Sequence, residues 1–127
     1  MPINWRVGSV GNRLVLAIHR GARYSYAMTR EQEILNEIRC QLDKVKTELT
    51  GFKVVLFGSR ATGTAHERSD FDIGIYGKER VPVSTFYRIS DLLDQVQTLY
   101  QIDWVDLHET TKPFRQEALK HAKVLYG

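Results

Sequence analysis

Gly58-Ser59-Arg60-Ala61-Thr62-Gly63-Thr64-Ala65-His66-Glu67-Arg68-Ser69-Asp70-Phe71-Asp72 is the most informative stretch of this chain. It follows Phe52 to Phe57, a compact apolar run with the β-branched pair Val54-Val55, which has the character of a buried strand. A strand that ends in Gly-Ser and turns into a short helix points backbone N–H groups and a hydroxyl at a phosphate, and the helix N-terminus favours the negative charge. Gly58 lets the backbone approach closely, and Arg60 is placed to add charge-assisted bonds. After the polar segment that runs through Ser69, Asp70 to Tyr76 alternates, with Phe71, Ile73 and Ile75 on one face and Asp70, Asp72, Gly74 and Tyr76 on the other. Carboxylates two apart on a strand share a face. Two like charges so close are costly unless a cation sits between them, which makes the pair a candidate for hard divalent ions.

Outward from this stretch the chain reads as helices interleaved with strands. Thr29-Arg30-Glu31-Gln32 has the form of a capping box, and Ile34, Leu35, Ile38, Leu42, Val45 and Leu49 continue from it at helical spacing to an end near Gly51. Cys40 lies off that stripe and reads as packing or surface. Beyond the turn-rich Gly77 to Pro82, the residues Phe86, Ile89, Leu92, Leu93, Val96 and Tyr100 mark a second amphipathic helix, and Ile102 to Leu107 a third strand. Thr111 with Pro113 resembles a capped helix start, continued by Phe114, Ala118, Ala122 and Leu125. The order predicts an α+β (α/β) domain, a small mixed β-sheet with flanking helices.

Composition narrows the classes. The 127 residues suit one domain with one hydrophobic core, and 43% hydrophobic with 26% charged residues excludes a disordered chain. The apolar runs fall far short of the roughly 20 residues of a membrane helix. A single cysteine excludes an internal disulfide and suits a reducing cytoplasm. The net charge of +3 is unevenly placed. Residues 1–27 hold Arg6, Arg13, Arg20 and Arg23 without an acid, which leaves 14 basic against 15 acidic residues in the rest. We read 1–27 as a basic, weakly ordered N-terminal extension and 28–127 as the functional domain, with Met28 an alternative start. Leu14 to Ile18 is too short for a secretory core. Basicity confined to the extension gives no reason to expect nucleic-acid binding.

Metal-assisted displacement at phosphorus calls for a third carboxylate that can bridge the metal and take the proton of the attacking hydroxyl. Asp103 and Asp106 are both available, and their odd spacing puts them on opposite faces of the third strand, so only one can join Asp70 and Asp72. Parity alone leaves the choice open. His66 and Glu67 read as exposed loop residues, Trp104 as core packing, and His108, Glu109 and His121 lack metal-ligand spacing. The basic residues Lys112, Arg115, Lys120 and Lys123 make the last helix a solvated or partner-facing surface.

Gly58-Ser59, then Asp70-x-Asp72, then Val105-Asp106-Leu107 together resemble the nucleotidyltransferase fold of the DNA polymerase β superfamily. More narrowly, they resemble the minimal nucleotidyltransferase (MNT) proteins encoded beside HEPN-domain toxins in prokaryotes. The resemblance covers about residues 29–126. It implies that Gly58, Ser59 and Arg60 hold the β/γ-phosphates of ATP, that Asp70 and Asp72 hold two Mg²⁺ ions, and that Asp106, in its Val-Asp-Leu setting, completes the metal site and activates the acceptor. Asp103 is then a surface or polar-cap residue. Gly74 stands where the family commonly has an aliphatic residue, and leaves room beside the metals.

The activity so implied is magnesium-dependent transfer of AMP from ATP to a hydroxyl, releasing pyrophosphate. So short a chain has little material for a second substrate-binding lobe, so the acceptor is expected on another macromolecule. In the resembled family that partner is a HEPN toxin, neutralised in the cytoplasm by adenylylation of a tyrosine. Neutralisation by stoichiometric binding and transfer to an aminoglycoside-type small molecule are the alternatives.

Overall fold

Helix α1 (Arg30–Asp43) begins at the expected capping box. The Thr29 N–H donates to Gln32 Oε1 at 2.9 Å, and the Gln32 N–H donates to Thr29 Oγ1 at 3.1 Å. The structure, a computed structural model, describes residues 29–127. The basic extension expected over 1–27 lies outside the described residues.

Strand β1 (Phe52–Phe57), the short helix α2 (Ser59–Thr62), strand β2 (Phe71–Gly77), helix α3 (Val83–Leu93), strand β3 (Ile102–Asp106), helix α4 (Lys112–Lys120) and strand β4 (Lys123–Tyr126) follow. A 3₁₀ turn, Leu107–Glu109, links β3 to α4. The four strands form one mixed sheet in the order β3-β2-β1-β4. β1 is antiparallel to β2 and β4, whereas β2 and β3 run parallel. Parallel neighbours need a crossover, and α3 supplies it.

Strand alternation sorts the sheet into two faces. Val54, Leu56, Phe71, Ile73 and Ile75 pack with Ile34, Ile38 and Leu42 of α1 and with Ile89 and Leu93 of α3 in the larger core. Burying each Ile or Leu there contributes about 1.5–3 kcal/mol, and Ile38→Ala would cost about 2–5 kcal/mol because the cavity adds to the lost transfer energy. On the other face Val55, Phe57 and Leu107 form a smaller cluster, covered by Ala118, Leu119 and Ala122.

Three boundaries differ from the periodicity. α1 ends at Asp43, and the chain continues to Phe52 in tight turns such as Val45 N–H to Leu42 O at 3.0 Å, while Val45 and Leu49 stay buried. α3 stops at Leu93, with Val96 still buried beyond it. The last helix stops at Lys120, and the segment expected to continue it becomes β4, with Val55 paired to Val124 and Leu125 buried in the larger core. Among the described residues no helix is long and apolar enough to cross a membrane.

Candidate active site

The site lies on the smaller-cluster face, where β1 ends and β2 and β3 begin. Gly58 takes φ +72°, a conformation favoured by glycine, as the chain leaves β1. Its carbonyl accepts from the Ala61 and Thr62 N–H groups at 3.0 and 3.1 Å, which turns the chain into α2. The opening N–H groups of a helix have no intrahelical acceptor and are available to an anion. Gly63 ends α2 in the left-handed region, and the Ser59 carbonyl accepts from Thr64 and Ala65 at 3.1 Å each, so the loop folds back on its own start.

Phe57 pairs with Asp72, which sets the second acid beside the Gly-Ser turn. The approach leaves no space: a Cβ on Gly58 would overlap the Asp72 carboxylate. Asp70, just ahead of β2, is exposed. In the parallel pair Asp72 is opposite Asp103, so these two side chains share a face. Their carboxylates are within hydrogen-bonding reach. Burial first, then the charges of Asp103 and Asp70 and the hydrogen bond with Asp103, hold the Asp72 carboxyl above its ordinary value of 3.8. Gln101 Nε2 donates to Asp103 Oδ1 at 2.7 Å and orients the carboxylate.

Asp106 stands elsewhere, which corrects its expected place. It pairs with Ile75, on the opposite face, and lies three residues or roughly 10 Å further along the strand. It is 8% exposed, and its carboxylate accepts from the Val81 N–H at 3.2 Å and the His108 N–H at 2.9 Å. These bonds cap the 3₁₀ turn and anchor the segment before α3. Asp103, expected at the surface, is the acid that meets Asp72.

Arg60 also departs from expectation. Its guanidinium is buried, donates from Nε and Nη2 to the Ser69 carbonyl at 3.0 and 2.7 Å and to Glu67 O at 3.3 Å, and lies 4.1 Å over the Phe71 ring. It ties the Gly-Ser turn to the segment entering β2. Nor does Gly74 leave open room, since Leu107 and Phe57 fill the space a Cβ would need. Trp104 packs as expected, stacked on Phe86 at 5.4 Å with Nε1 donating to Phe86 O at 3.0 Å.

Helix α4 forms the opposite wall. A cleft of about 600 Å³ is lined by Gly58, Thr62, Asp72 and Asp103 on one side and by Phe114, Glu117, Ala118 and His121 on the other. The last four recur at i, i+3, i+4 and i+7, the spacing of one helix face. That spacing was readable, but nothing in it distinguishes a face over a cleft from a face over a core.

Among the described residues no group of three or more His, Cys, Asp or Glu side chains is arranged to hold a metal ion. The donor set still fits magnesium, which is usually bound by one or two carboxylates and completed by substrate phosphates and water. Asp72 and Asp103 offer such a pair, and a cation there would offset both the burial and the neighbouring charges that hold the Asp72 carboxyl above its ordinary value.

Comparisons with known proteins bear on the family and the fold. No curated protein matches the chain. In fold it is similar to a chain of the tri-AMPylated Shewanella oneidensis HEPN toxin in complex with MNT antitoxin, at 20% identity and a TM-score of 0.52, over 76% of this chain and 72% of that one. It is similar to a chain of the toxin-antitoxin MntA-HepT at 20% identity and a TM-score of 0.50, over the same shares of 76% and 72%. The family model described as "Polymerase beta, Nucleotidyltransferase" matches residues 43–127, from the end of α1 through β4, and the chain belongs to that family.

Proposed function

We propose that this protein is an antitoxin that transfers AMP from ATP to a tyrosine hydroxyl of a partner HEPN toxin in the cytoplasm, with residues 28–127 as the catalytic domain. The observation that carries the reading is the Asp72–Asp103 pair set against the Gly58 turn at the mouth of one cleft. Such a pair beside an anion-binding turn suits a nucleoside triphosphate with its magnesium. The partner is supported by the two similar folds, which belong to HEPN–MNT and MntA-HepT complexes, and the chemistry by the AMPylated state of one toxin.

In this reading Gly58 and Ser59 hold the β- and γ-phosphates through the opening of α2, while Arg60 braces the turn from behind. Asp70, Asp72 and Asp103 form the acidic side of the site. Magnesium, when bound there, neutralises charge on the triphosphate and on the leaving pyrophosphate. Asp103 accepts the proton of the tyrosine hydroxyl as its oxygen bonds to the α-phosphorus. The bond from that phosphorus to the bridging oxygen breaks, and pyrophosphate leaves with the electron pair.

Mass spectrometry of a purified HEPN partner incubated with this protein, ATP and Mg²⁺ tests the proposal. The expected result is a mass gain of one or more AMP groups together with loss of toxicity. A partner that stays unmodified yet is inhibited in a tight complex would overturn it in favour of stoichiometric neutralisation.

A further inference from the structure

The acids and the Gly-Ser turn account for one wall of the cleft and leave the α4 wall without a role. Phe114 is 48% exposed there, although it is a large apolar residue on a helix that covers a sheet. Its ring meets Phe57 edge-on, with centroids 6.1 Å apart and planes at 85°. That contact fixes the ring and leaves aromatic surface accessible in the cleft. Ala118, one turn on, is too small to cover it, and both residues line the same space as Asp72 and Asp103. About 600 Å³ is ample for a mononucleotide.

We infer that Phe114 is the stacking platform for the base of the nucleoside triphosphate. The inference rests on the nucleotidyltransferase reading above and deepens it. With the triphosphate at Gly58 and the acids, the sugar and base extend across the cleft toward α4, where the other wall offers this held aromatic ring. Stacking on one ring tolerates any base. Phe114 therefore supplies affinity for the nucleoside part as a whole.

Binding of ATP and of inorganic tripolyphosphate, each with Mg²⁺, to the wild type, Phe114→Ala, Phe114→Leu and Phe114→Tyr separates this role from packing. Wild type is expected to bind ATP more tightly than tripolyphosphate. Phe114→Ala and Phe114→Leu should weaken ATP on the order of ten-fold while tripolyphosphate is unchanged, and Phe114→Tyr should retain the wild-type affinity. Leu keeps apolar bulk against Phe57, so a purely structural role predicts that it behaves as wild type. ATP affinity unchanged in Phe114→Ala, or equal loss for both ligands, would overturn the platform while leaving the phosphate and metal assignments standing. Failure of wild type to bind either ligand would overturn those assignments and the platform with them.

Discussion

Gly58 and Asp72 approach so closely that the glycine's missing side chain is what gives the Asp72 carboxylate its position. The turn and the acid are thus one construction, joined by the Phe57–Asp72 pairing. Gly58→Ala places a Cβ on that carboxylate at a φ of +72°. It is expected to reduce AMP transfer by about 10²-fold, the scale of a lost catalytic group, and to destabilise the fold by about 1–2 kcal/mol. Transfer assays and chemical denaturation check the two parts separately.

Asp103 and Asp106 should behave oppositely. Asp103→Asn removes the carboxylate beside Asp72, so transfer should fall about 10²-fold or more with the fold intact. Asp106→Ala leaves the Val81 and His108 N–H groups without their carboxylate acceptor, so it should cost about 1–3 kcal/mol while transfer per folded molecule persists. Activity lost in the Asp106 variant and kept in the Asp103 variant would restore the assignment drawn from the Val-Asp-Leu setting.

The raised Asp72 pKa makes stability depend on pH. A carboxyl whose pKa is higher folded than unfolded holds its proton more tightly in the fold. Its stabilising contribution is complete below the ordinary value of 3.8 and is lost as pH rises through the folded pKa. Asp72→Asn should therefore melt at a higher temperature than wild type at neutral pH in metal-free buffer. The difference should shrink as pH falls toward 3.8, and its absence at neutral pH would contradict the burial of this carboxyl among neighbouring carboxylates. The same variant should lose transfer.

Arg60→Lys tests whether this residue braces the loop. Lys keeps the charge but not the planar fork that reaches Ser69 O through two nitrogens, nor the flat contact with Phe71. A loss of about 1.5–3 kcal/mol is expected, the scale of hydrogen bonds from a charged group. Tripolyphosphate affinity of the folded protein should be nearly unchanged, whereas a role as phosphate ligand predicts a large loss.

Much of the fold was legible because local chemistry and tertiary packing agree. The Thr29–Gln32 box marks the start of α1, and the 3–4 spacing of Ile34, Ile38 and Leu42 and the alternation of Phe71, Ile73 and Ile75 each mark a buried face that the structure uses. The segment after α4 was not legible, since Phe114, Ala118, Ala122 and Leu125 keep helical spacing through a break at Lys120. A strand of four residues carries too little alternation to oppose that pattern, and its partner β1 lies some 70 positions earlier.

Chemistry divides along the same line. Residue types and spacing were enough to locate the turn at Gly58, which depends on neighbours within a few positions, and the three motifs taken together pointed to the family. The third acid depends on how β3 is set against β2. Alternation places Asp103 and Asp106 on opposite faces but cannot say which face meets Asp72. Only the parallel register does, by bringing Asp72 opposite Asp103 and Ile75 opposite Asp106. Arg60 follows the same logic: its charge suggested a phosphate, and the ring of Phe71 with the carbonyl of Ser69, brought to it by folding, claimed the guanidinium.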